Sequence, residues 1–201
     1  MSVLTKPLDP LSEARICLPH VNWQQYETLI AMFGDRPHLR LTYLEGNLEI
    51  MTISPGREML KKMIARLIEV YALERDINLF SCGSATFRRE AAARGLEPDE
   101  SYCIGTRKEL PDLAIEVVIS SGSIGKLKVY QGLGVKEVWF WQDNRFSLYR
   151  LNDSSSDYDS IERSTFFPDL DFTLLATYIQ PEAEPQAVKA FLQALRQQGS
   201  K

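Results

Sequence analysis

Asp99, Glu116 and Lys126 are the residues whose types and spacing point to chemistry. The segment PDLAIEVVISSGSIGKLKVYQGLGV (111–135) contains a branched, apolar run, Ile115 to Ile119, of the kind found in strands buried on both faces. Glu116 sits inside that run and Asp112 opens it. A carboxylate in such a strand is costly unless it is paired, protonated or bound to a cation.

Strand geometry restricts which acids can share a site. Asp112 and Glu116 face the same way but lie about 13 Å apart along a strand rising ~3.3 Å per residue. A partner for Glu116 must come from elsewhere, and Asp99, on the preceding strand candidate PDESYCI (98–104), is the natural choice. If those strands pair, the two carboxylates come within roughly 5 Å of each other. They repel unless a divalent cation lies between them, and oxygen ligands suit Mg²⁺ or Mn²⁺. Lys126, ten residues after Glu116, opens the next helix, where the turn Ser120 to Gly125 can fold it back over the acids. An ammonium there would orient water and offset charge on a phosphorane-like transition state. A plainer reading stays open on spacing alone. In it Glu116 is ion-paired with Lys126 or Arg88, and Asp99 and Asp112 are turn acids, Asp112 capping the strand entry.

The elements that must position these residues follow from periodicity. Residues 1–18 read as an extended N-terminal arm with two prolines. Trp23, Tyr26, Leu29, Ile30 and Phe33 recur at helical spacing behind an Asn22 cap, with Gly34 and Pro37 ending the helix. LRLTYLEGNLEIM (39–51) reads as two strands about Glu45-Gly46. Ser54-Pro55 starts a second helix, with Met59, Met63, Leu67 and Val70/Tyr71 as its apolar stripe. LFSCGSATFRR (79–89) reads as one strand. SIGKLKVYQGLG reads as a helix ending at Gly132 or Gly134, and EVWFW and RFSLYRL as a hairpin across Asp-Asn. SDYDSIERS supplies a further strand after a solvated loop at 151–157. The tail, 183–201, is an amphipathic C-terminal helix carrying Val188, Phe191, Leu192 and Leu195 on one face. The expected fold class is α/β (α+β), a sheet with buried middle strands between helices, in a single domain spanning 1–201.

Composition narrows the function classes. With 201 residues, 44% apolar and 25% charged, the chain is an ordinary globular one. No apolar run has the ~18 residues a membrane span needs. The first residues lack a signal-peptide pattern, and the unspaced Cys17, Cys82 and Cys103 read as free thiols of a reducing cytoplasm. With only His20 and His38, a histidine-rich zinc site is not expected. A net charge of −4 argues against a general nucleic-acid coat but allows a local basic groove. Arg88, Arg89 and Arg94 fit either a phosphate grip or a solvated face, whereas Lys61, Lys62 and Arg66 read as solvated. Trp139 and Trp141 read as core.

The chain resembles the Uma family, bacterial and cyanobacterial proteins of the restriction-endonuclease-like PD-(D/E)XK superfamily. The matching stretches are LEGNLEIMTISPGRE (44–58), FSCGSATFRRE (80–90), RGLEPDESYCIG (94–105), residues 111–141 and FPDLDFTLL (167–175). The resemblance implies a nuclease core with a mixed central sheet flanked by helices and a Mg²⁺-dependent (or Mn²⁺-dependent) endonuclease acting on DNA. It maps the metal-binding acids onto Asp99 and Glu116, the motif lysine onto Lys126, and a glutamate of the first core helix onto Glu58. Relatives tend to carry His-Glu where this chain has Arg57-Glu58, and often an acid where it has Gly125. Many enzymes of this superfamily work as homodimers. The alternative is a catalytically inactive relative that binds nucleic acid or a protein.

Overall fold

The computed structural model describes residues 12–33, 36, 38–119 and 124–199. The expected helix stops Gly34 and Pro37, most of the turn after Ile119, residues 1–11 and the last two residues lie outside that range.

The described end of the expected arm, β1 (Arg15–Leu18), is extended and pairs antiparallel with β3. Helix α1 (Trp23–Phe33) begins at a reciprocal cap: Gln25 N–H donates to Asn22 Oδ1 at 2.9 Å, and Asn22 N–H to Gln25 Oε1 at 2.8 Å. Strands β2 (Leu39–Leu44) and β3 (Asn47–Thr52) form the expected hairpin, with Leu41 and Tyr43 buried. Helix α2 (Pro55–Glu74) starts where expected, with Ser54 Oγ accepting from Arg57 N–H and proline in the first turn. Its buried side carries Met63, Ile64, Leu67, Ile68 and Tyr71. Met59 departs from the expected stripe and is exposed, while Lys61, expected on the solvated side, is buried.

The segment 79–89 is not one strand. It divides into β4 (Leu79–Ser81) and β5 (Phe87–Arg89), which join different sheets. Residues 82–86 make the transition, with Gly83 at φ +61, a conformation L side chains seldom take. The short β6 (Arg94–Leu96), which alternation does not reveal, pairs with both β2 and β5. Strands β7 (Glu100–Ile104) and β8 (Leu113–Val117) follow, then α3 (Lys126–Leu133), which closes at Gly134 in the left-handed conformation. The hairpin β9 (Glu137–Gln142) and β10 (Arg145–Leu151) turns through Asp143 and Asn144, both at positive φ. Strand β11 (Tyr158–Ile161), helix α4 (Phe172–Thr177) and the C-terminal α5 (Glu184–Gly199) complete the order.

The result is a mixed α+β architecture with two sheets. One is antiparallel, β1-β3-β2-β6-β5; the other, β11-β10-β9-β8-β7-β4, is mixed because β8 and β9 run parallel across α3. Helices α2, α4 and α5 cover one face of the mixed sheet around Trp139, Phe167 and Phe191. Helix α3 covers the other through Val129, Tyr130 and Leu133. Both faces of β8 are therefore buried, as its composition requires. No helix among the described residues is long and apolar enough to cross a membrane.

Candidate active site

Antiparallel pairing of β7 with β8 sets Glu100 opposite Ile115. Continued by one residue, that register puts Asp99 opposite Glu116, with both side chains on one side of the sheet. Both are almost wholly buried, at 2% and 0% exposure. Their partners come from two helices. Lys126 Nζ, in the first turn of α3, donates to Glu116 Oε2 at 2.5 Å. One turn later on the same helix face, Tyr130 donates its hydroxyl to Glu116 Oε1 at 2.5 Å. Of the two partners open for Glu116, the chain uses Lys126; Arg88 pairs with Glu27 instead.

Asp99 is held from the other side. Val117 N–H donates to its Oδ2 at 2.8 Å, and Arg57 Nη1 donates to the same oxygen at 2.6 Å. Arg57 Nη1 also donates to the Val117 carbonyl. The other edge of the guanidinium is clamped by Glu13, through Nε at 2.5 Å and Nη2 at 2.9 Å. Ser54 caps α2 and also donates to Glu13 at 3.4 Å, so the cap sets the turn from which Arg57 reaches inward. Arg15 on β1 lies 3.8 Å from Glu13 and 3.5 Å from Glu49. A row of buried alternating charges thus links the mixed sheet to the antiparallel one.

The two facing acids are driven apart in proton affinity. Burial would raise Asp99, but Arg57, Lys126 and the Val117 amide outweigh it and hold the carboxyl below its ordinary range. Burial raises Glu116, the neighbouring Asp99 charge adds to that, and Lys126 only partly opposes it. Burial and the Glu116 charge push the Tyr130 hydroxyl far upward, so it stays a donor.

The remaining expected residues are placed as follows. Glu58 is on the turn beside Arg57, its side chain 37% exposed and paired with Lys61 at 3.0 Å. Asp112 accepts from Ile104 N–H at 2.8 Å and Lys108 Nζ at 2.5 Å, tying down the loop at the entry to β8, as the strand-cap reading has it. Arg94 bonds the Lys128 carbonyl and Glu45, and Arg89 the Gly132 carbonyl, so both fasten α3 to the antiparallel sheet. Sequence reasoning missed Arg57, Glu13 and Tyr130 as members of the cluster. Tyr130 was findable, four residues after Lys126 on one helix face. Glu13 carried no local signal.

A cavity of about 120 Å³ adjoins the cluster, lined by Arg15, Arg57, Val117, Ile124, Lys126 and Phe140 among others. Its cations suit a phosphate oxygen. For a metal the donor chemistry fits a hard cation: Asp99 Oδ2 and the Val117 carbonyl converge on one point, with Glu116 beside them. Arg57 Nη1 stands at that point. Among the described residues no group of three or more His, Cys, Asp or Glu side chains is arranged to hold a metal.

A family profile described as "Putative restriction endonuclease", Uma2, matches residues 23–178, covering every strand and helix of the cluster except β1. No curated protein matches the chain.

Proposed function

From the premise that the chain belongs to the Uma2 family, we propose that it is a divalent-metal-dependent endonuclease that hydrolyses phosphodiester bonds of DNA. The observation that supports this most directly is the set Asp99, Glu116 and Lys126, which strand register and one helix turn gather into a single buried cluster beside a cationic cavity.

In this reading Asp99 and Glu116 would hold Mg²⁺ or Mn²⁺, with Glu58 completing the set of acids. When bound, the ion would supply Lewis-acid polarisation of the phosphate and a water of lowered pKa. The chain's own residues do the rest. Lys126 Nζ orients the attacking water and offsets charge on the phosphoryl oxygens. Arg15 and Arg57 receive the phosphate in the cavity. Tyr130 fixes the Glu116 carboxylate through Oε1, leaving its rotamer little freedom. The protein works in the cytoplasm, as a homodimer on DNA.

The test is cleavage of duplex and single-stranded DNA with Mg²⁺ or Mn²⁺ by wild type and Glu116→Gln. Cleavage by wild type that disappears in the variant supports the assignment; cleavage retained in the folded variant rejects it. A second reading is favoured by one observation, the guanidinium of Arg57 at the point where the oxygens converge. There the chain is a non-catalytic module that binds nucleic acid through its cavity. It predicts DNA binding in the presence of a chelator and no cleavage with any divalent ion.

A further inference from the structure

Arg57 occupies a particular place. Its Nη1 lies 2.6 Å from Asp99 Oδ2 and donates to the Val117 carbonyl as well, so one cationic nitrogen bridges a carboxylate and a carbonyl oxygen. A small divalent ion bound to the same two oxygens would lie about 2.1 Å from each. It would overlap that nitrogen and meet its charge at contact distance. We propose that Arg57 is the resident cation of the site, and that a divalent ion binds Asp99 only when the guanidinium withdraws. This inference rests on the metal-dependent reading above.

Two features make the exchange physically reasonable. Glu13 grips the far edge of the guanidinium through two hydrogen bonds, so the group keeps a buried counter-charge when it lets go of Asp99. Arg57 also lines the adjoining cavity of about 120 Å³, so open space lies next to the guanidinium. Arg57 then acts as a gate on metal affinity. It keeps Asp99 ionised and paired until an ion of higher charge replaces it.

The experiment is a calorimetric titration of Mn²⁺ into wild type, Arg57→Gln and Glu116→Gln, each first checked for fold by circular dichroism. Binding by Arg57→Gln roughly tenfold tighter than by wild type is the expected result. Equal or weaker binding in Arg57→Gln, with loss in Glu116→Gln, overturns the gate while leaving the metal site standing. No binding in any folded protein overturns the metal-dependent reading and the gate together. Because Arg57→Gln can fail to fold, the wild type is also followed by the side-chain ¹⁵N–¹H signal of Arg57 Nε during a Mg²⁺ titration into the millimolar range. The gate requires that signal to shift as the Asp99 contact is released, and an unchanged signal overturns it.

Discussion

Asp99 and Arg57 form a buried ion pair, with Asp99 Oδ2 2.6 Å from Arg57 Nη1. Removing one member of a buried pair leaves the other charged and under-partnered, at a cost of about 3–5 kcal/mol. Asp99→Asn should therefore lower stability by that order in urea unfolding at neutral pH; a loss within experimental error would show that Glu13 alone satisfies the guanidinium. The acids also make opposite pH signatures. Asp99 is lower in the folded chain than its unfolded value of about 3.9, so its stabilisation is present above that pH and lost as pH falls through the folded value. Glu116 is raised, so its contribution is complete below an unfolded value of about 4.3 and is lost as pH rises through the folded value. Glu116→Gln should accordingly gain on wild type as pH is raised from about 4 toward neutrality. A stability gap that stays constant over that range would contradict the raised carboxyl.

At the scale of elements, the site depends on where helices begin. Ser54 both caps α2 and donates to Glu13, so Ser54→Ala should cost about 1 kcal/mol in unfolding. It should also loosen Arg57, which a chemical-shift change at Arg57 Nε would register. Packing of α1 on the antiparallel sheet depends on Gly95: a Cβ there would stand 2.2 Å from the Tyr26 hydroxyl. Gly95→Ala must displace the Tyr26 ring from its stack on Tyr43 and should destabilise by roughly 1–3 kcal/mol, measured by thermal unfolding. Most elements were legible because their signals are local. The Asn22 and Ser54 caps, the Asp-Asn turn and the Gly134 stop each act within a few residues. The strand expected over 79–89 failed for the opposite reason. Its two halves are both extended, and only their separate partners, β7 and β6, tell them apart.

For the whole molecule, the charged row from Lys126 to Glu49 crosses between two sheets whose strands are far apart in sequence. Being buried, those pairs are little screened by salt. DNA binding, which draws on counterion release, should instead weaken steeply as salt rises. A salt-independent affinity would place the binding surface away from the cavity cations. The proposed homodimer makes a separate claim: the chain should elute from gel filtration at twice its own mass, and elution as a monomer would remove it.

The sequence by itself offered Asp99, Glu116 and Lys126 as one group, beside the plainer reading in which Glu116 is ion-paired with Lys126 or Arg88. A charged residue inside an apolar strand needs a partner, period-2 alternation restricts which residues share a face, and one helix start brings Lys126 back over Glu116. It also determined a sheet with buried middle strands between helices, from apolar runs flanked by helical periodicity; the mixed character of that sheet was implied by the family resemblance. Only the tertiary structure decided what stands beside Asp99. Arg57 and Glu13 lie 44 residues apart, and Arg57 and Asp99 42 apart, with no periodicity joining them. Their meeting depends on β1 lying along β3 and on α2 crossing the mixed sheet. Such contacts arise from packing two sheets around shared helices, and packing acts on distance in space, which spacing along the chain does not encode.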